Sequence, residues 1–279
     1  MTPDRGLGRR LATAAVLLPL FVLTIVVGRW LFLTAVTVLV AAGIVELYGF
    51  AREKPYRPRW LPGLALGVAL PVFLYAGPGD PWVAIALMTA GVAGIAAAQM
   101  LDPRGSEAMA SVAFTLLGAL YVGLLFGHMV LVREVAREIP GAPYAVGAVL
   151  LAVPLVLTWL NDTVAYFAGR RWGRRRLLAR VSPGKSWEGA VAALAATAAA
   201  GAVLLPSLDL FDARHGLAVG ALVGVVAPLG DLVESAFKRD AGVKDSSGLV
   251  PGHGGILDRF DSALFSVPAF YYYLRCCVL

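Results

Sequence analysis

Charge is scarce in this chain. Only 15% of its residues are Asp, Glu, Lys or Arg, against about 25% in a typical soluble domain. Disorder, which requires a polar and charge-rich composition, is excluded by the same shortage. Cysteine is almost absent: Cys276 and Cys277 are adjacent, close to the C-terminus and remote from any His or carboxylate cluster. They supply neither a disulfide framework nor a zinc ligand set, and no role is assigned to them. What the chain does have is apolar surface, 59% of its residues and a mean hydropathy of +0.76. It comes in blocks of roughly 18 to 25 residues, long enough to cross a hydrocarbon core about 30 Å thick. Backbone groups in lipid must be satisfied within their own segment, so such blocks are helices.

The blocks predict an all-α integral membrane protein, a polytopic bundle of about nine transmembrane helices. They cover about 11–28, 30–50, 61–76, 82–101, 108–132, 144–168, 189–206, 216–236 and 262–278. With the N-terminus in the cytoplasm, Arg5, Arg9, Arg10, Arg104 and the basic residues of 52–59, 170–185 and 238–259 all fall inside. Only Arg29, Arg133, Arg137, Arg214 and Arg275, out of 24 basic residues, fall outside. Basic loops stay cytoplasmic, so this asymmetry orients the chain and accounts for its net charge of +6 without a nucleic-acid partner. The first block follows Arg9-Arg10, lacks a small-residue cleavage site and is expected to remain as a helix.

Residues 1–140 are expected to form a helical scaffold, with Pro19 and Pro71 inside apolar blocks and Gly and Ala clusters that allow close helix packing. Glu46 is the one acid well inside this half; it either faces the bundle interior or lies near the inner interface beside Tyr48. Residues 141–279 form the expected catalytic region, because polar residues now punctuate the helices. Both long cytoplasmic loops, 169–188 and 237–261, are here, and each exceeds the usual connection of about 4–6 residues.

Three clusters carry candidate chemistry. Asn161-Asp162-Thr163 places a carboxylate in the last turns of an apolar helix, where it needs a cation, an ion or a water-filled cavity, unless it snorkels to the interface. The loop from Ser182 to Gly189 offers Lys185 and two hydroxyls at a helix start, a phosphate-binding arrangement; a plain cap by Ser186 is the alternative. It lacks the upstream glycine and the preceding strand of a nucleotide P-loop. In the third cluster Asp231, Glu234, Ser235 and Lys238 share one helix face. Lys244-Asp245, Pro251-Gly252-His253-Gly254-Gly255 and Asp258-Arg259-Phe260-Asp261 follow. Hard cations such as Mg²⁺ take carboxylate oxygens and substrate phosphates. Asp231 and Asp258 are therefore expected to converge on such an ion, with Lys238, Arg239, Lys244 and Arg259 neutralising phosphate. This composition suits phosphoryl or nucleotidyl transfer.

The run from Ser235 through Phe237-Lys238-Arg239 and Lys244-Asp245 to Pro251, His253-Gly254-Gly255-Ile256 and Asp258-Arg259-Phe260-Asp261 resembles the signature of the phosphatidate cytidylyltransferases, or CDP-diacylglycerol synthases. Asp162-Thr163, Ala165-Tyr166 and the Ser182-to-Gly189 loop are similar to upstream motifs of that family, so the resemblance covers about 158–265. Val250, Ser247 and Gly184 depart from its usual pattern, and Gly184 removes one possible phosphate contact.

The resemblance implies that CTP and phosphatidic acid give CDP-diacylglycerol and pyrophosphate with Mg²⁺, and leaves open a second, monovalent cation. It also implies a homodimer in the inner membrane, with the active site facing the cytoplasm. The expected metal residues are Asp231 and Asp258, supported by Asp261 or Glu234. Lys238, Arg239, Lys244, Asp245, His253 and Arg259 are the catalytic candidates, His253 as a phosphate-positioning group. Asp162, Ser182, Lys185, Ser186 and Ser235 are the binding candidates. A CTP-dependent lipid kinase and an ion-coupled transporter using Asp162, Asp231 and Glu234 are the competing readings; the absence of a repeat between the halves disfavours transport.

Overall fold

The computed structural model describes residues 5–52, 54–77, 81–101, 107–249 and 254–279. The expectations placed on Arg104, Val250, Pro251, Gly252 and His253 lie outside the described residues. A helix is found at each of the nine apolar blocks. Six of the described segments are individually long and apolar enough to cross a membrane: Arg29–Gly49, Pro81–Met100, Ala108–Glu138, Val146–Trp172, Trp187–Leu208 and Ala213–Ala241. Ala15–Val27 and Trp60–Ala76 are apolar but shorter. The fold is helical apart from one two-stranded hairpin and is compatible with a polytopic membrane protein.

The chain divides into two compact units, Met1–Glu134 with Asp240–Arg259, and Val135–Arg239 with Phe260–Leu279. The first contains α1 (Arg5–Val27), α2 (Arg29–Gly49), α3 (Trp60–Ala76), α4 (Pro81–Met100), α5 (Ala108–Leu117) and α6 (Leu125–Glu134). A π-helical turn, Gly118–Leu124, joins α5 to α6. Phe32, Val36, Val40 and Ile44 of α2 are fully buried against these neighbours. Tyr48 closes the same core by donating its hydroxyl to Thr115 O at 2.6 Å. Helix α1 ends in apolar sequence, and its last carbonyls need donors. The buried Arg133 supplies them, from Nε to Ile25 O at 2.6 Å and from Nη2 to Val26 O at 3.1 Å. A residue read from the sequence as an outside charge is thus an internal helix cap.

The second unit contains α7 (Val146–Trp172), β1 (Arg176–Leu178), β2 (Ser182–Ser186), α8 (Trp187–Leu204), α9 (Ala213–Ala241), α10 (Leu257–Phe260) and α11 (Ala263–Cys277); the last residues of α9 and the first three of α10 belong to the first unit. Helices α8 and α9 cross with backbones in contact, because a Cβ on Gly201 would overlap Gly216 O and one on Gly220 would overlap Thr197 O. Small residues permit such crossings in lipid, as the Gly and Ala content suggested. The expected loop 169–188 is shorter, because α7 runs on to Trp172 and α8 starts at Trp187; between them lies an antiparallel hairpin, with Arg176 opposite Ser186 and Leu178 opposite Ser182.

Candidate active site

In the second unit four elements bring polar groups together. Pro228 has no N–H, so Gly224 O of α9 loses its helical donor. Asn161 Nδ2, from α7, fills that gap across a long 3.4 Å contact. The next residue, Asp162, is within electrostatic reach of both Asp231 on α9 and Lys185 on β2. Lys185 Nζ lies 2.7 Å from Asp231 Oδ2, and Ser235 donates to Asp231 Oδ1 at 3.2 Å. Asp261 joins them because residue 230 is glycine: a Cβ there would overlap Asp261 O. Burial, then the charge of Asp231, pushes the Asp261 carboxyl up to about 7, although Ser262 N–H donates to it at 2.6 Å. Three acids therefore share the field of Lys185.

Other candidates in this unit are placed differently. Lys238 Nζ is 2.6 Å from Glu234 Oε2, one helical turn away, with Glu234 buried. Arg239 is exposed and reaches Val181 O at 3.4 Å. Ser186 is buried and caps α8, accepting from Gly189 N at 3.2 Å, which is the plain-cap alternative the loop allowed. Ser182 opens β2. Glu188 accepts from Arg174 N at 3.0 Å and ties the start of the hairpin to α8.

In the first unit the signature loop is organised around two carboxylates. Asp258 Oδ2 accepts from Ser246 N at 2.9 Å, Ser246 Oγ at 2.9 Å and Gly255 N at 2.8 Å. Glu46 accepts from Ser246 Oγ, Ser247 Oγ, Ile256 N and Leu257 N. Lys244, Asp245 and Arg259 are exposed. Lys54 adds a second tie, 3.0 Å from Asp240 Oδ2 and 2.7 Å from Asp240 O at the end of α9. Sequence reasoning named Glu46 but left it out of the site. The signal was available, since a lone acid in an apolar helix must find donors somewhere.

Among the described residues no three His, Cys, Asp or Glu side chains could enclose a metal ion by themselves. A hard divalent ion that keeps water and takes phosphate oxygens needs only one or two carboxylates. The all-oxygen acid group of the second unit fits that requirement.

The profile of the cytidylyltransferase family matches residues 8–277. The chain belongs to the cytidylyltransferase family. Over 276 residues it is 32% identical to a phosphatidate cytidylyltransferase of Bacillus subtilis (strain 168), covering 95% of this chain and 97% of that protein. Shorter, stronger matches join it to two others. It is 44% identical over 132 residues to a phosphatidate cytidylyltransferase of Haemophilus influenzae, 46% of each chain. It is also 44% identical over 131 residues to the uncharacterized protein YnbB of Escherichia coli (strain K12), 47% of this chain and 44% of the other. These two matches span about half the length of the relatives concerned. Among the signature-loop donors to Glu46 is Ser247, one of the positions that depart from the usual signature.

Proposed function

We propose that the chain is a phosphatidate cytidylyltransferase, transferring CMP from CTP to phosphatidic acid to form CDP-diacylglycerol. The observation that carries this reading is an acid group with one lysine in a cytidylyltransferase-family chain: Asp162 and Asp231 on apolar helices, Asp261 just before α11 and Lys185 on β2. An oxygen of the lipid phosphate forms the new bond to the α-phosphorus of CTP, and the α–β bridging bond breaks to release pyrophosphate. Because the phosphate monoester is already ionised, no strong general base is required.

The proposal keeps Asp231 and Asp258 as metal-holding acids, with Asp261 or Glu234 in support, on the chemistry of hard-oxygen donors and the signature resemblance. A bound Mg²⁺ would neutralise triphosphate charge. Lys244, Arg259 and Arg239 are exposed cations suited to phosphate; Lys185 balances Asp231 and is a phosphate ligand only when that pair opens. Lys238 is assigned to phosphate on the resemblance, with Glu234 as its partner at rest. Asp162, Ser182, Ser186 and Ser235 remain binding residues of the proposal, and Asp245 and His253 catalytic ones. A monovalent cation and a homodimer are carried by the resemblance.

Nine crossings with a cytoplasmic N-terminus complete the reading. They are supported by the helix at each apolar block and by the distribution of Lys and Arg. They place the acids and basic loops at the inner face of the inner membrane, where soluble CTP meets lipid.

The test is incubation of purified, detergent-solubilised protein with phosphatidic acid, Mg²⁺ and CTP labelled at either the α or the γ position. Label from α-labelled CTP should enter lipid. Lipid labelled only from γ-labelled CTP would establish a lipid kinase instead, and no labelled lipid from either would overturn the enzymatic reading.

A further inference from the structure

Glu46 is 2% exposed, and α2 carries no other charged residue beyond its first position, Arg29. A carboxylate withdrawn from water is tolerated when its oxygens are saturated by donors. Each oxygen here accepts one backbone N–H and has one serine hydroxyl beside it. Ile256 N (2.8 Å) and Ser247 Oγ (2.6 Å) donate to Oε1; Leu257 N (2.9 Å) donates to Oε2, which shares the single Ser246 hydroxyl proton (Oγ at 3.1 Å) with Asp258. The chain leaving Ser247 and the chain arriving at Ile256 thus end on one side chain. Ser246 Oγ also lies 2.9 Å from Asp258 Oδ2, so one hydroxyl spans the two carboxylates. Gly255 makes room for this, since a Cβ there would lie 2.6 and 2.7 Å from the Glu46 oxygens and overlap Ser246 Oγ.

We propose that Glu46 is a positioning residue of the cytidylyl-transfer reaction: it clamps both ends of the signature loop and, through Ser246, sets the orientation of Asp258. The loop's part in catalysis rests on the function proposed above; the clamp does not. Lys244 and Arg259 flank the clamped segment, so their placement depends on it as well.

Glu46→Gln tests the idea sharply. Because each carboxylate oxygen accepts a backbone N–H, either orientation of the amide sets its NH₂ against one of those N–H groups. The purified full-length chain is compared with wild type for turnover of α-labelled CTP into lipid, for thermal unfolding, and for amide hydrogen exchange. Glu46→Gln should lower kcat by about 10- to 100-fold, the scale of a small misplacement of reacting groups. KM for CTP should change by less than about threefold. Exchange at Ile256 and Leu257 should accelerate by about tenfold or more, while the amides of Val40 and Ile44 in the same helix stay protected.

Ser247→Ala removes one donor from outside the carboxylate and should move kcat and loop exchange in the same direction by a smaller factor; it decides the matter if Glu46→Gln does not fold. Wild-type kcat and wild-type exchange in the folded Glu46 variant would overturn the proposal. So would an activity loss that merely follows loss of folded protein, with exchange raised equally through α2. If wild type itself transfers no label, the proposed function fails, and the exchange pattern alone still confirms or rejects the clamp.

Discussion

The two units treat buried or half-buried acids in opposite ways. In the first, Glu46 and Asp258 are met by backbone N–H groups and serine hydroxyls from a loop that folds around them. Dipolar donors of that kind stabilise a carboxylate without adding charge, and the outcome is a fixed loop. In the second, Asp162, Asp231 and Asp261 are gathered with Lys185, and burial, then the neighbouring Asp231 charge, raises the Asp261 carboxyl to about 7. Glu46, with donors on both oxygens, serves geometry; Asp258 takes its donors on Oδ2 alone, and the acids of the second unit face one another.

Several substitutions would break or sharpen that contrast. The largest effect is expected from Asp231→Asn, which should lower CTP-dependent lipid labelling by at least about 10²-fold while membrane insertion is retained. Full activity in that variant would remove Asp231 from the metal assignment. Lys185→Met comes next, taking away the cation 2.7 Å from Asp231. It should lower kcat/KM for CTP by at least about tenfold, equivalent to about 1.4 kcal/mol. It should also reduce the Mg²⁺ concentration giving half-maximal rate, because the acid group becomes more negative. An unchanged Mg²⁺ dependence with a raised KM for CTP would assign Lys185 to phosphate alone.

Tyr48→Phe probes the first unit away from the clamp. Loss of the bond to Thr115 should destabilise the protein by about 1 kcal/mol, seen as a lower Tm, with kcat per folded molecule unchanged. The smallest effect belongs to Asp212, an exposed residue that accepts from His215 N at 2.8 Å at the start of α9. Backbone hydrogen bonding by His215 holds its carboxyl below the usual Asp range. A depressed folded-state pKa gives stability that is complete above the ordinary Asp value of about 3.9 and is lost as pH falls from there through the lower folded-state value. Asp212→Ala should therefore lower Tm slightly at neutral pH, with the difference from wild type shrinking as acid protonates the carboxylate.

Much of this was legible in the residues. Among the described residues a helix lies at each apolar block, six of the segments being long enough to span a membrane. Of Asp231, Glu234, Ser235 and Lys238, expected on one face of α9, Ser235 meets Asp231 and Lys238 meets Glu234. Asp162 was expected to need a cation, an ion or a water-filled cavity unless it snorkelled to the interface, and of these the structure shows Lys185 within its electrostatic reach. Partner choice was harder to read. Lys238 and Glu234 are one turn apart and pair with each other, an outcome that helical spacing permits but does not require. Arg133 gave no hint that it would turn inward to the end of α1, more than a hundred residues earlier, because the carbonyls it satisfies belong to the backbone and leave no mark in the sequence.

By itself, then, the sequence determined membrane residence, helix positions and the kind of chemistry its polar residues can support. Those properties follow from local hydrophobicity and from residue type, which any window of the chain displays. Tertiary structure decided which acid meets which donor. Glu46 and Ile256 lie 210 positions apart, and only the folding of Asp240–Arg259 onto the first unit brings them to hydrogen-bond distance. Contacts of that range are created by packing and loop closure, and no local pattern encodes them.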